Sequence, residues 1–320
     1  MPCHNEAKKY PTLGGPHAMF TFEAEQEVYD ISGVKLGGQP GEHATAMVGS
    51  IFYKGDPLNK DPKTGEFDPE GAREAIHTVE ELSDQTGNPA ILDVIGDSPE
   101  ALIKHVDFVA EECELPMFMD GPTPTIRSEA AKHVGEIGLQ DRVIYNSIES
   151  STKQVDIEIE AIRDANIKAA VLLSIDTRNL TLQGRLDALE ENLEVAEKAG
   201  IEMPMVDPAV IDIPDSGFAA RAIYEIKNRY GIPAGCSPHN EVIRWEMNNP
   251  LSPDSKLLRQ AVANSSIIFF GADFNLYGTI HSAPEMYEVV SIADAYVGYG
   301  AQMGEMRRPS SDHPLYRIFR

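Results

Sequence analysis

The sequence is poor in cysteine, in positive charge and in long apolar runs, and each shortage excludes a class of protein. Its three cysteines, Cys3, Cys113 and Cys236, are odd in number and far apart, which argues against a disulfide framework and favours a reducing cytoplasm. With 27 basic and 51 acidic residues the formal net charge is −24, which disfavours general binding to nucleic acid or to an anionic membrane surface. No apolar run approaches the roughly 18 residues needed to span a bilayer, so direct membrane insertion is not expected.

The N-terminal segment, residues 1–18, contains polar residues and prolines but no apolar core. It has the features of neither a signal peptide nor a transit peptide, and we predict a flexible extension. Residues 19–320 show no composition shift and no Gly/Ser-rich linker. We therefore predict that they form a single domain.

From residue 45 onward, short apolar runs alternate with amphipathic stretches, which predicts alternating strands and helices. The predicted strands are 45–52, 90–95, 117–119, 143–145, 169–174, 203–206, 233–236 and 267–274. The predicted helices are 69–85, 99–113, 125–135, 155–165, 182–199, 218–230, a broken stretch that reaches 263, and 286–299. About eight such α/β units favour a (β/α)₈ TIM barrel, with an open doubly wound sheet as the alternative. An alternating segment, 19–36, predicts a hairpin that plugs or flanks the lower face of the barrel.

Nearly every predicted strand is followed by an aspartate or an asparagine. These residues are Asp93, Asp120, Asn146, Asp176, Asp207, Asn240 and Asp273. In a barrel they would converge on the C-terminal mouth, where active sites lie. Taken singly, each is as easily a helix N-cap or a turn residue. As a set, they indicate a site for a ligand rich in hydrogen-bonding groups.

Several common catalytic patterns are missing from the sequence. The cysteines do not cluster as zinc ligands, and the Gly-rich segment 37–42 lacks the spacing of a phosphate-binding loop. There is no Gly-x-Ser-x-Gly elbow. Lys35 and Lys54 do not lie in apolar runs, so a lyase or Schiff-base aldolase is a weak alternative. A mouth of amides and carboxylates instead suits a flat heterocycle such as a reduced pterin.

Some residues near the predicted mouth have a structural interpretation beside the functional one. His239 adjoins Asn240, but a lone histidine is more often structural. Thr123 is most simply a helix cap, and Trp245 is as easily a packing residue as part of an apolar slot. Thr123, Ser237 and His239 are therefore auxiliary candidates only.

Five segments, in order along the chain, resemble one known family. They are Gly-Gly-Gln-Pro-Gly-Glu at 37–42, Gly-Ser-Ile-Phe-Tyr at 49–53, Thr-Gly-Asn-Pro at 86–89, Tyr-Asn-Ser-Ile at 145–148 and His-Pro-Leu at 313–315. The chain resembles the MtrH family, the H subunits of tetrahydromethanopterin S-methyltransferase, over about residues 19–319. That family is similar in turn to corrinoid-protein-linked methyltetrahydrofolate methyltransferases, which are TIM barrels that bind the pterin at the mouth.

The resemblance implies a methyltransferase that moves a methyl group between a corrinoid protein and N5 of a tetrahydropterin. The tetrahydropterin is then a co-substrate, the cobalt belongs to the cobamide of the partner protein, and this chain binds no metal. The family is typically dimeric, so a homodimer is expected.

The resemblance also implies roles for the residues near the mouth. The expected pterin-binding set is Asp93, Asp120, Asn146, Asp176, Asp207 and Asn240. Of these, Asp93, Asp120 and Asp207 match positions that hold the pterin in the folate relatives. Asn240 matches an asparagine that approaches pterin N5, which makes it the expected residue of the transfer step. Thr123 stands where the folate relatives have an asparagine.

Two segments depart from the H subunit of the membrane complex. Residues 206–212 and 235–240 look more like the stand-alone members of the family. They predict a stand-alone cytoplasmic enzyme that transfers methyl from the corrinoid to tetrahydrofolate or tetrahydromethanopterin. The alternative is a catalytic or docking H subunit of a membrane-bound methyltransferase complex.

Overall fold

A computed structural model of the protein describes residues 20–211, 214–250 and 252–319, so the extension predicted for residues 1–18 lies outside the described residues, as does Cys3. The strands are β1 (Val28–Ile31), β2 (Val34–Gly37), β3 (Ala46–Ile51), β4 (Asn59–Asp61), β5 (Glu66–Phe67), β6 (Ala90–Ile95), β7 (Met117–Asp120), β8 (Val143–Ile148), β9 (Ala169–Leu173), β10 (Met203–Asp207), β11 (Gly235–Cys236) and β12 (Phe274–Thr279). The helices are α1 (Pro69–Thr86), α2 (Pro99–Glu112), α3 (Pro124–Ile137), α4 (Val155–Asp164), α5 (Leu182–Ala199), α6 (Ser216–Tyr230), α7 (His239–Asn248), α8 (Pro253–Ile268), α9 (Ala283–Glu305) and α10 (Pro314–Arg317).

Eight parallel strands close into a barrel. Their order is β10-β9-β8-β7-β6-β3-β12-β11. The last strand returns to the first through a parallel bridge between Val206 and Ala234, and the Val206 N–H donates to the Pro233 carbonyl at 2.9 Å. This closure confirms the (β/α)₈ barrel and excludes the open doubly wound sheet.

Successive side chains of each strand face two different cores. Val48, Ile91 and Phe118 belong to the cluster that fills the barrel interior. Their neighbours Met47 and Leu92 belong to the larger cluster between the strands and the surrounding helices. Because both faces are buried, the strands are continuously apolar, as expected of a parallel sheet covered by helices.

The predicted hairpin is present as β1 and β2, which pair antiparallel. Ile31 and Leu36 pack in the interior cluster together with Ala46 and Phe274. Ala46 and Phe274 are the first residues of β3 and β12, so the hairpin covers the end of the barrel where the strands begin. The predicted position at the lower face is therefore confirmed for the described residues.

The eighth predicted strand, 267–274, is wrong. Helix α8 continues to Ile268, and β12 begins only at Phe274. Ile267 and Ile268 are buried as the inner face of a helix, and an apolar run of this length does not distinguish a buried helix from a buried strand. The strand is preceded by a turn at Gly271, whose φ of +87° requires glycine.

Asp273 therefore precedes its strand and lies at the lower end of the barrel, which corrects its predicted place at the mouth. Its carboxylate accepts the Ala234 N–H at 2.9 Å. It also forms a buried ion pair with Lys227, with Nζ 2.5 Å from Oδ1. This carboxylate belongs to the framework of the barrel.

Within the described ranges, no helix combines the length and the apolar character needed to cross a bilayer.

Replacing Lys227 by methionine leaves the Asp273 carboxylate buried without its cation. We expect Lys227→Met to lower the free energy of unfolding by about 3–5 kcal/mol, measured by urea denaturation. The control is Lys132→Met, which breaks the exposed pair with Glu129 and is expected to change stability little. Equal stability of Lys227→Met and the unaltered chain would contradict this assignment.

Candidate functional site

Four polar side chains meet where adjacent strands end at the C-terminal mouth of the barrel. Ser50 on β3 donates to Asp93 Oδ2 on β6 at 2.6 Å, and Asn146 Nδ2 on β8 donates to Asp93 Oδ1 at 3.4 Å. Asp120 on β7 is in register with Ile95 on one side and with Asn146 on the other. The structure thus brings together the three nearest members of the predicted set and adds Ser50.

Asp207 approaches the same mouth from the opposite part of the barrel, at the end of β10. Met205, two residues earlier, lies in the interior cluster, so the alternation of the strand turns Asp207 toward the same interior. The Asp207 Oδ1 atom accepts the Ala209 N–H at 2.7 Å. A fourth acidic or amide side chain therefore borders the cup formed by Asp93, Asp120 and Asn146.

The carboxyl groups of this cup are held in their protonated forms to an unusual degree. Burial raises the pKa of Asp93 to about 6 and that of Asp207 to about 7. Burial and the nearby charge of Asp93 raise the pKa of Asp120 to about 8, although Arg127 opposes this shift. Near neutral pH the cup therefore offers both protonated and ionised carboxyls. Perturbed carboxyls gathered in one cleft are typical of functional sites.

A buried ionic network supports the cup from behind the sheet. Arg127 donates to the Gly121 carbonyl and to Glu158, each at 2.6 Å. The Tyr145 hydroxyl donates to the same Glu158 oxygen at 2.6 Å. Because Gly121 follows Asp120, Arg127 fixes the turn that leaves the mouth. Sequence reasoning missed this network, since its members lie on separate helices and strands.

The segment after β11 places Asn240 and His239 in the first turn of α7 rather than on a strand. The Asn240 side chain is exposed, whereas His239 is buried. His239 Nδ1 lies 3.2 Å from Gln260 Nε2, and burial lowers the pKa of His239 to about 4, so the ring is neutral. Its ring packs directly on Gly278, where a Cβ would come within 2.6 Å. These contacts explain His239 as a packing residue.

Other predicted residues lie apart from the cup. Asp176 lies beyond the end of β9, and its carboxylate pairs with Arg178 in its own loop, with Nε 2.9 Å from Oδ1. Thr123 is exposed and caps α3 by accepting the Ile126 N–H at 3.4 Å. Ser237 donates to the Leu276 carbonyl at 3.4 Å.

Ser50, which sequence reasoning also missed, had a signal in the alternation of its strand. Ala46 and Val48 face the interior, so the side chain two residues further, that of Ser50, points to the mouth. Arg185 is a second missed residue: it is fully buried beside the loop that follows Asp207. Nothing local in the sequence marks its partners.

Over 20–211, 214–250 and 252–319, no three His, Cys, Asp or Glu side chains are arranged to hold a metal ion. The cup instead presents carboxyl and amide groups, which suit a ligand with N–H donors and ring acceptors.

Comparison with known proteins decides the family. The family model described as tetrahydromethanopterin S-methyltransferase MtrH subunit matches residues 24–306. The chain belongs to this family. The resemblance predicted from the sequence is therefore confirmed, and the proteins of this family that it matches are named as methyltransferases.

Two curated relatives illustrate the match. The chain is 34% identical to the H subunit of tetrahydromethanopterin S-methyltransferase from Methanothermobacter thermautotrophicus, over 94% of this chain and 100% of that protein. It is 36% identical to the H subunit of a provisionally named mtx methyltransferase from Methanosarcina barkeri, over 93% of this chain and 99% of that protein.

Among solved structures, the chain is similar to a dihydropteroate synthase of Coxiella burnetii in complex with pteroic acid. The TM-score is 0.61 at 15% identity, over 85% of this chain and 99% of that chain. At this identity the similarity shows the barrel fold alone.

Asp120→Asn is expected to stabilise the protein at alkaline pH. The folded-state pKa of Asp120, about 8, lies above its ordinary value, so its contribution to stability is lost as the pH rises toward and past that value. We expect a gain of about 2 °C in Tm near pH 8.5 and little gain near pH 5.

The matched control is Asp176→Asn. The side-chain hydrogen bond from Arg178 lowers the pKa of Asp176, so this carboxylate favours the folded state at high pH and its removal brings no alkaline gain. Thermal denaturation of the three proteins across pH provides the test, and an Asp120→Asn effect that does not vary with pH would contradict the assignment.

Proposed function

We propose that the chain binds a tetrahydropterin in the cup at the barrel mouth and exchanges a methyl group between N5 of that pterin and a corrinoid carried by a partner protein. Membership of the MtrH family supports the reaction class. The observation that carries the proposal is the cup of Asp93, Asp120, Asn146 and Asp207, with its buried carboxyls.

The chemistry of the cup fits the pyrimidine edge of a pterin. That edge carries an amino group and a ring N–H, which donate hydrogen bonds, and a carbonyl and ring nitrogens, which accept them. Ionised Asp120 and Asp207 would accept from the donors, and Asn146 has an amide that serves either role. The raised pKa values mean that these carboxylates are poorly solvated in the free protein, so a ligand that donates to them is strongly favoured.

The relatives favour a role as an MtrH subunit over the stand-alone enzyme indicated by segments 206–212 and 235–240. The H subunits of tetrahydromethanopterin S-methyltransferase match at 33–35% identity over most of both chains. We therefore propose that the chain works with a corrinoid-bearing protein of the same complex, with tetrahydromethanopterin as the pterin. The stand-alone enzyme that transfers methyl from corrinoid to pterin becomes the second candidate, and the two directions are separated by experiment.

The transfer is an in-line displacement in which one lone pair takes the methyl carbon and the bonding pair stays on the atom that the methyl leaves. Such a step gains mainly from orientation, with the reacting atoms about 3–3.5 Å apart. In this proposal Asp93, Asp120 and Asp207 hold the ring flat in the cup. Asn240, exposed at the rim, donates to N5 and stabilises the change of charge there. An amide does not act as a proton acceptor for N5, so the proton passes to water or to a carboxyl.

Asn240→Ala is expected to slow methyl transfer by about 100-fold with little change in pterin affinity, since its contact matters most in the transition state. Asp207→Ala is expected to weaken pterin binding by about 10-fold or more, because a carboxylate contact is lost from the ground state as well. Calorimetric titration with tetrahydromethanopterin gives the affinities, and the corrinoid absorbance change gives the rates in both directions.

The control for Asn240 is Asn248→Ala, which removes an exposed asparagine at the other end of the same helix. It should alter neither quantity. Equal losses of affinity and rate in Asn240→Ala would remove Asn240 from the transfer step.

A second experiment separates the member of a complex from the stand-alone enzyme. The purified chain is mixed with tetrahydromethanopterin and free methylcobalamin, and separately with the corrinoid protein that co-purifies with it. As a member of a complex, the chain should retain a cobalt-containing partner and transfer little methyl from free methylcobalamin. Rapid turnover of free methylcobalamin, with no partner retained, would favour the stand-alone enzyme.

A homodimer and a cytoplasmic location, which the resemblance and the cysteine content indicate, stay predictions. So does the single domain of residues 19–320.

A further inference from the structure

We propose that Arg185 is a positioning residue that sets the loop after β10, so that Asp207 faces the mouth and Asn240 keeps its place beside it. This inference rests on the proposed function, because it assigns Arg185 to the alignment of two residues of the pterin site. It is carried by hydrogen bonds, burial and backbone conformation around one guanidinium group.

The Arg185 side chain is fully buried near the start of α5. Its Nη1 donates to the Pro208 carbonyl at 2.8 Å and to the Ala209 carbonyl at 2.7 Å. Its Nη2 donates to both carboxylate oxygens of Asp215, at 2.8 and 2.9 Å. The ring of Phe218 lies 5.5 Å from the guanidinium carbon. One planar fork thus binds both ends of the loop between β10 and α6.

The backbone next to Asp207 is held in a conformation that its sequence disfavours. Ala209 has φ = +61°, in the left-handed region that costs an L-residue roughly 1–2 kcal/mol. Two contacts hold it there: its N–H donates to Asp207 Oδ1 at 2.7 Å, and its carbonyl accepts from Arg185. The orientation of the Asp207 carboxylate and the hydrogen bond from Arg185 therefore depend on the same peptide. Strain of this kind is characteristic of functional loops.

The same group extends to the helix that carries Asn240. Asp215 Oδ2 also accepts the Ile211 N–H at 2.9 Å, and Asp215 directly precedes α6. The next residue, Ser216, donates its N–H to Glu241 Oε2 at 2.7 Å. Glu241 is buried and follows Asn240 in α7. Hydrogen bonds therefore lead from Arg185 to the first turn of α7.

A purely architectural role explains these contacts less well. Arg185 Nε is buried with no hydrogen-bond partner among the described residues, which carries a cost in stability. A well-packed apolar side chain at such a position is often neutral or stabilising. The arginine is instead suited to holding two carbonyls and one carboxylate in a fixed arrangement, which a lysine ammonium does not reproduce.

The test compares Arg185→Lys with Arg142→Lys. Arg142 is a matched control, because it donates to the Cys113 carbonyl at 2.6 Å and the Leu115 carbonyl at 3.0 Å, in a loop at the opposite end of the barrel. Arg185→Lys should weaken tetrahydromethanopterin binding about 10-fold, the equivalent of one charged hydrogen bond. It should also accelerate hydrogen exchange of the Ala209 and Ile211 amides. Arg142→Lys should do neither.

Adding Ala209→Gly to Arg185→Lys should restore part of the affinity, because glycine adopts the left-handed conformation without strain. Asp215→Asn, which keeps the shape of the acceptor but not its charge, should give a smaller loss and serves if Arg185→Lys does not fold. Unchanged affinity and unchanged exchange in Arg185→Lys would overturn the proposal, as would equal effects in Arg142→Lys. If the unaltered chain binds no tetrahydropterin, the proposed function fails, and the exchange of the loop amides alone decides the positioning role.

Discussion

The closure of eight parallel strands is the constraint on which the rest of the structure depends. Closure carries the ends of distant strands to one rim, and the alternation of side chains then turns Asp93, Asp120 and Asp207 toward a common interior. The price is desolvation, since three carboxyl groups lose water and gain protons more readily than they do in solution. A site that is costly in the free protein is well prepared for a ligand that donates hydrogen bonds to it.

The parts of the protein outside the cup fix its geometry rather than add further chemistry. Arg127 holds the turn after Asp120, and Arg185 holds the loop after Asp207. Both guanidinium groups are largely or wholly buried and bind carbonyls as well as carboxylates. The lower end of the barrel is stabilised separately, by the hairpin and by the Lys227–Asp273 pair. Stability and ligand recognition are therefore assigned to opposite ends of one fold, as is usual for this barrel.

Much of this arrangement was predictable from local sequence, because burial on both faces leaves a distinctive apolar run and the strand end follows from it. That reasoning located Asp93, Asp120 and Asn146. It failed at residues 267–274, where an apolar run belonged to the end of a helix and Asp273 moved to the other end of the barrel. It did not find Arg127 or Arg185, whose partners are distant in sequence. It also favoured the stand-alone branch of the family, whereas the relatives favour the MtrH subunit.

The central claim is that a pterin is bound by carboxyls that hold protons in the free protein. The most direct test is calorimetric titration with tetrahydromethanopterin near neutral pH in two buffers that differ in ionisation enthalpy. Because the pKa of Asp120 is about 8 and that of Asp207 about 7, binding through pterin N–H donors should release protons to the buffer. A binding enthalpy that is the same in both buffers, or a net uptake of protons, would contradict the account.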